Sequence, residues 1–432
     1  MTGVHDLVGV GLGPMGLSVA ALADGVEGLD AVFLDASAGF AWHEGLLLEG
    51  TTLQVPFLAD LVTLVDPTSP HSFLAYLAER DRLLRFYLYE SFHVPRREYD
   101  AYCRWVAGRL PACRFGHAVR TVRPEGDAWV LEVDAGGSAT TLRARAVAFA
   151  VGTAPWVPGC AEPHLGPRVL HSAGWAQARE RVAGVRSVTV VGSGQSAAEV
   201  VLDLLADPAG PRVEWFTRSR GFLPMEYSKL GLEHFSPEYH RWFRSLPADR
   251  RDEVRAGQDL LYKGISAKTS AAIFDLLYER TVDGSAPGLD YLSAVELVGL
   301  EPVGDRWRLA LSHRDEGEAF EHDTDAVVLA TGYRARPLPV APGLLALDPA
   351  GRPVVEPDLR LRLAEGGPSS LFVIGTELHS HGVGAPDLGL GALRAASIVN
   401  AAAGRARYRV PERTVFQRFG RKAWLDREGE GA

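Results

Sequence analysis

Two glycine-rich turns carry most of the chemistry open to this chain. Gly11-Leu12-Gly13-Pro14-Met15-Gly16 follows an apolar run at 7–10 that holds Gly9, and it precedes helix-compatible spacing through Leu17, Ala20 and Leu22. In a strand–turn–helix unit the first glycine permits the tight turn and the second lets the backbone approach a pyrophosphate. The helix N-terminus then adds N–H donors and a partial positive charge. Asp35 closes the next apolar run, 22 residues after Gly13, where a carboxylate accepts a ribose hydroxyl. The second turn is Gly192-Ser193-Gly194-Gln195-Ser196-Ala197, with alanine in place of the third glycine. Its following strand, 213–216, runs into Thr217-Arg218-Ser219-Arg220 and ends without an acid. A guanidinium there suits a 2′-phosphate. One turn with a ribose carboxylate and one with arginines predict two dinucleotides, FAD and NADPH.

The elements that must position these turns repeat along the chain. Pro124-Glu125-Gly126-Asp127-Ala128-Trp129 resembles Pro302-Val303-Gly304-Asp305-Arg306-Trp307, each a turn feeding an alternating strand. Each leads to an apolar strand ending in a glycine turn, at 146–152 and at 326–332, the second containing Thr331 and Gly332. Gly11 to Gly152 spans 141 residues and Gly192 to Gly332 spans 140, so one architecture is used twice. Each copy is expected to be a nucleotide-binding sheet with a small inserted antiparallel layer. The fold class is α/β, with two Rossmann-like dinucleotide-binding domains, the second inserted in the first, and a small helical substrate region. The expected boundaries are an FAD domain at 1–160 and 335–425, an NADPH domain at 161–220 and 285–334, and a helical insertion at 221–284.

Composition agrees with a soluble globular chain that can bury large cores. At roughly 150 residues per domain, 432 residues suggest about three domains. With 47% hydrophobic and 23% charged residues, disorder, collagen and coiled coil are excluded. A net charge of −9 argues against nucleic acid as partner. Cys103, Cys113 and Cys160 form no CxxC pair, which disfavours a redox disulfide, a zinc site and a secreted disulfide framework. No membrane span and no leader are expected, so the cytoplasm is the expected compartment.

The ordered set Gly11-Leu12-Gly13-Pro14, Phe40-Ala41-Trp42-His43, Gln54-Val55-Pro56-Phe57-Leu58, Asp66-Pro67-Thr68-Ser69-Pro70, 191–198, 329–333 and 381–394 resembles the bacterial lysine/ornithine N-monooxygenases of siderophore biosynthesis. The resemblance runs from about residue 6 to 418. It implies that NADPH reduces FAD, that O₂ forms a C4a-hydroperoxyflavin, and that one oxygen passes to a neutral amine in a water-excluding site. It assigns Trp42, His43, Thr331, Gly332, Asp387 and Leu388 to the cofactors. Gln54 is placed beside the flavin, positioning amine and oxidant. A homo-oligomer, dimer or tetramer, is also implied.

Two departures bear on substrate. Amino-acid hydroxylases of the family carry a lysine where this chain has Ala59, and an asparagine where it has Leu232 before Glu233. Both changes remove partners for a substrate carboxylate, whose burial without them costs several kcal/mol. The pattern, with 224–230 and 386–391, is similar to the diamine branch. The expected substrate is cadaverine or putrescine, its distal ammonium caged by Glu233 or Asp387. The alternatives are L-lysine N6- or ornithine N5-monooxygenase and, more distantly, a non-oxygenating flavoprotein. His379-Ser380-His381 reads as a loop near the flavin rather than a metal pair, and no metal is expected. Tyr87, Tyr89, Phe92 and Tyr99 read as packing aromatics, and Pro95-Arg96-Arg97 as solvated surface.

Overall fold

The computed structural model describes residues 3–368 and 370–426. The apolar run before the first glycine turn forms strand Val4–Val10, whose last four residues are buried. It is a central strand with parallel neighbours on both sides, Ala31–Leu34 and Ser138–Phe149. Cys113–Arg114 and Leu371–Val373 extend this parallel sheet. Helix Pro14–Asp24 covers it beside helix Gly391–Ala402, and both bury alanine-rich faces in one core with Leu7 and Phe33. The chain thus returns after residue 370 to finish the sheet it began.

The second sheet is wholly parallel, in the order Leu289–Leu292, Arg212–Phe216, Ser187–Val191, Ala326–Leu329, Val169–His171. Helix Gln195–Leu205 lies against it with Val200, Val201 and Leu205 inward. Between the sheets the chain crosses at an antiparallel pair, Thr153–Pro155 with Tyr333–Ala335.

The repeat holds at atomic detail. Gly11 has φ 99° and Gly192 φ 137°, and a Cβ would sit 2.3 Å from the Ala150 carbonyl oxygen in one copy and 2.2 Å from that of Ala330 in the other. Only glycine fits either corner. The hairpins pair Pro124 with Trp129 and Pro302 with Trp307, and each ladder slips in register at an equivalent place, 119–121 and 297–299. One expectation is corrected. The antiparallel layer is separate only in the second copy, as Val295–Val303, Arg306–His313 and Glu318–Thr324. In the first copy, strand Ser138–Phe149 is long enough for its start to pair with Ala128–Ala135 while its end joins the parallel sheet.

The insertion is helical: Lys229–Leu232, Pro237–Ser245, Ala248–Ala256, Asp259–Tyr262 and Ala267–Arg280. Ser228, Ser236 and Ser266 cap three of these helices by accepting backbone N–H bonds. Tyr239 and Phe243 bury against Val383 and Phe419, and Ile273 joins the core of the second sheet. Among the described residues no helix is long and apolar enough to cross a membrane.

Of the aromatics expected to pack, Tyr99 is buried, and Phe92 sets its ring on Phe57 at 5.7 Å between centroids while staying largely exposed. Tyr87 is 72% exposed and Tyr89 is also exposed, because helix Leu83–Tyr89 buries no residue fully. Alternation of apolar types cannot say whether a neighbour covers the face.

Candidate active site

Both glycine turns end in helices with no acidic residue in the first turn, so their free N–H groups and positive dipole ends are unneutralised. At Gly13 and Gly194 a Cβ would meet no protein atom within 4 Å. Glycine at these two positions therefore leaves room for something outside the chain, as a pyrophosphate cradle requires. Gly9 does something else. A Cβ there would strike the Phe33 ring at 2.1 Å, so this glycine seats a core aromatic in the sheet. Pro14 opens the first helix and is buried. Asp35 accepts the Leu12 amide at 2.7 Å on one oxygen and the Ser37 amide and hydroxyl on the other. It braces the turn, with further lone-pair capacity for a hydroxyl.

A cleft of 1520 Å³ opens between the sheets and gathers His43, Gly192, Gly194, Arg218, Thr331 and Gly332. Burial, and then Arg96, push His43 down to about 4, so its imidazole is neutral. Trp42 lies edge-on to both His43 and Tyr99. Thr331 donates to the Trp156 carbonyl, and Gly332 accepts from Trp156 N–H at 2.9 Å and His171 at 3.1 Å. Trp156 is the centre of a feature that motif reading missed. The Arg218 guanidinium lies 5.3 Å and that of Arg334 4.7 Å from its ring centroid. Neither arginine forms an ion pair among the described residues. Two unpaired cations stacked on one indole beside a glycine turn make a site for a multiply charged anion. Arg220 is not part of it, since it pairs with Asp315 at 3.0 Å. Gln195 is also committed elsewhere, to Glu199, Thr269 and Ser266, and Ser196 follows it on the helix.

Gln54 stands outside that cleft, in a loop of the first half. Its side-chain N–H donates to the Thr52 carbonyl at 3.2 Å, leaving the side-chain oxygen available, and its own carbonyl accepts the Tyr227 hydroxyl from the insertion. Burial, and then the nearby Asp387 carboxylate, push that phenol up to about 12. Asp387 caps the turn Leu388–Leu390 through one oxygen, accepting Gly389 N–H at 2.8 Å, while Leu388 leans on the first core. Burial pushes the Asp387 carboxyl up to about 6, against these amides. Ala59 is buried, and Leu232 is 38% exposed. Glu233 faces away from this group. Its carboxylate accepts the backbone N–H groups of Phe416 and Gln417, the latter at 2.6 Å, and so ties the C-terminal segment to the insertion. Of the two candidate cage acids only Asp387 lies near Tyr227, whose hydroxyl bonds the Gln54 carbonyl.

The match to the family described as L-lysine 6-monooxygenase/L-ornithine 5-monooxygenase covers residues 3–335. The chain belongs to that family. This N-monooxygenase is 49% identical over 431 residues to the rhizobactin siderophore biosynthesis protein RhbE of Rhizobium meliloti, covering 96% of this chain and 95% of that protein. It is 37% identical over 426 residues to a putrescine N-hydroxylase of Shewanella oneidensis, covering 96% of this chain and 84% of that protein. Among solved structures it resembles FAD-bound DfoA, the cadaverine monooxygenase of desferrioxamine biosynthesis from Erwinia amylovora. The TM-score is 0.92 at 36% identity, over 97% of this chain and 99% of that one.

Within the N-monooxygenase, His379 and His381 do not converge. They sit in a one-turn helix, Leu378–His381, not a loop. His379 bonds the Pro353 carbonyl and His381 bonds Ser380. Arg96 is the larger correction. It is 7% exposed and paired with Glu199, whereas a run of two arginines after proline reads as surface. Tyr227 and Arg334 carried weak signals, the first inside the Pro224-Met225-Glu226-Tyr227 stretch, the second directly after Thr331-Gly332-Tyr333.

Proposed function

We propose that this enzyme hydroxylates one terminal amine of a diamine, cadaverine or putrescine, using FAD and NADPH, in the biosynthesis of a hydroxamate siderophore. Asp387 carries this reading. It is a carboxylate held beside Gln54 and Tyr227, with one oxygen on a turn amide and no cation paired to it among the described residues. A buried carboxylate seeks a counter-charge, and the distal ammonium of a diamine supplies one. A substrate carboxylate in the same place would meet like charge, with Ala59 and Leu232 offering it nothing.

Gly11, Gly13 and Asp35 at the first turn would hold FAD, which would supply the activation of O₂. Gly192 and Gly194 would hold NADPH, and Arg218 and Arg334 would supply the charge for its 2′-phosphate. Asp387 binds the far ammonium and so sets how deep the near amine reaches. The free oxygen of Gln54 accepts an N–H from that amine and turns its lone pair toward the oxidant. Tyr227, by holding the Gln54 backbone, fixes the loop in which this happens. Trp42 and Tyr99, packed edge to face on the first core, would supply an apolar wall that keeps water out. For the homo-oligomer, helix Leu83–Tyr89 offers an apolar surface, with Leu84, Tyr87 and Leu88 all near 70% exposed.

The test is a hydroxylamine assay with putrescine, cadaverine, L-lysine and L-ornithine, with H₂O₂ measured alongside. Coupled product from a diamine is expected. Hydroxylation of lysine, with diamines yielding only H₂O₂, would reject the proposal.

A further inference from the structure

Helix Arg96–Arg109 begins where the two halves of the molecule meet. The Arg96 guanidinium crosses to Glu199 on helix Gln195–Leu205 with two parallel bonds, Nη1 to Oε2 at 2.7 Å and Nη2 to Oε1 at 2.6 Å. The side chains are 9% and 3% exposed. Nη1 also donates to the Leu46 carbonyl at 2.7 Å, and the Arg96 backbone N–H to that of Thr51 at 3.0 Å. On the far side, Gln195 Nε2 donates to Glu199 at 3.0 Å and to Thr269 Oγ1 at 2.9 Å, while its Oε1 accepts Ser266 N–H at 2.8 Å. One chain of bonds, buried at Arg96 and Glu199 and half-buried beyond them, therefore joins the loop before Gln54, the helix behind the second glycine turn, and the insertion that carries Tyr227.

Beside this pair the junction holds the backbone ladder of Thr153–Pro155 with Tyr333–Ala335, and apolar packing. Leu46 and Leu48 enter the core of the second sheet, and apolar contact tolerates sliding. A fork-to-fork guanidinium–carboxylate pair does not, because both bonds form in one plane and one register only. Displacing one half leaves a buried charge unpaired, which is strongly unfavourable. The pair thus selects one orientation of the halves.

We propose that Arg96, Glu199 and Gln195 are positioning residues that set the angle between the two nucleotide turns, so that the nicotinamide of NADPH is delivered to the flavin. The proposal rests on the FAD and NADPH reading above. None of the three touches the reacting atoms. They act through the orientation of the second half.

The experiment uses FAD-loaded enzyme as wild type, Glu199→Gln, Arg96→Lys and the double variant Arg96→Met/Glu199→Leu, which leaves no lone buried charge. Anaerobic stopped-flow bleaching by NADPH gives the limiting reduction rate, with dithionite as control, and titration gives the NADP⁺ Kd. Hydrogen–deuterium exchange of the holoenzyme reads the segments 44–54 and 195–205. The double variant should lose about tenfold to 100-fold in limiting rate, as misplacement by about 1 Å does. Its NADP⁺ Kd and dithionite bleaching should stay near wild type, exchange should rise in both segments, and Arg96→Lys and Glu199→Gln should fall between. A folded double variant with wild-type limiting rate and wild-type exchange would overturn the proposal, whatever its Tm. Wild-type flavin that NADPH does not bleach would refute the cofactor reading instead, and the exchange comparison would still decide the orientation claim.

Discussion

Replacing Asp387 by asparagine separates what this carboxylate does for substrate from what it does to stability. Burial lifts its carboxyl from 3.8 to about 6. At about 1.4 kcal/mol per unit, that shift is about 3 kcal/mol. Because the pKa is raised, the ionised form is the disfavoured one in the folded chain. The contribution is fully present below about pH 4 and is lost as pH rises through about 6. The asparagine side chain is neutral throughout and keeps the cap to Gly389. The variant should therefore melt with wild type at pH 4 and above it by a few degrees beyond pH 7, as about 3 kcal/mol shifts a chain of this length. Saturating diamine should close that gap by stabilising wild type alone. Activity should move oppositely, with kcat/KM for the diamine falling roughly tenfold to 100-fold, the worth of a hydrogen bond to a charged group. Thermal melts from pH 4 to 8, with and without cadaverine, check the first part, and coupled hydroxylamine formation checks the second. A melting gap independent of pH would refute the buried-carboxylate argument. An unchanged kcat/KM would remove Asp387 from the ammonium site.

Arg218→Ala and Arg334→Ala should each raise the KM for NADPH roughly tenfold to 100-fold and leave NADH almost untouched, the loss expected for a charge-assisted contact to phosphate. Equal losses with both nucleotides in initial-rate assays would sink the two-arginine site. Ala59→Lys with Leu232→Asn should raise the ratio of lysine to diamine hydroxylation. An unmoved ratio in a variant that melts near wild type would show that the carboxylate pocket lies elsewhere. Leu84→Glu with Leu88→Glu should lower the sedimentation coefficient to that of a monomer. A wild-type sedimentation profile would mean that copies associate through another face.

The parts legible in the sequence were those fixed by short-range sterics. Gly11 and Gly192 announce themselves because a carbonyl, of Ala150 or Ala330, stands where a side chain would go, and only glycine answers. The hairpins at 124–129 and 302–307 were equally plain, since a two-residue turn constrains its own residues. The rest depended on partners distant in sequence. Arg96 looks like any surface arginine until Glu199, 103 residues on, is brought against it. Glu233 was a reasonable cage acid until amides at 416 and 417 claimed it. The helix of Tyr87 failed for another reason, because an apolar face reads alike whether a neighbour covers it or not.

The doubled architecture also explains where information about function had to lie. Two copies with the same corner, the same hairpin and the same register slip can bind different nucleotides only through residues at which they differ. At the end of the second strand one has Asp35 braced on its turn, and the other has Thr217 with Arg218 turned to Trp156. At the third turn position Gly16 lies against the Gly11 carbonyl, where the other copy accommodates Ala197. The proposed amine site has no twin to be compared with. It is assembled from Gln54 before the second copy, Tyr227 in the insertion and Asp387 after it, three segments that neither repeat predicts. Their geometry depends on how the halves sit, which is the reason for proposing that a buried pair at the junction, far from the chemistry in sequence, bears on catalysis.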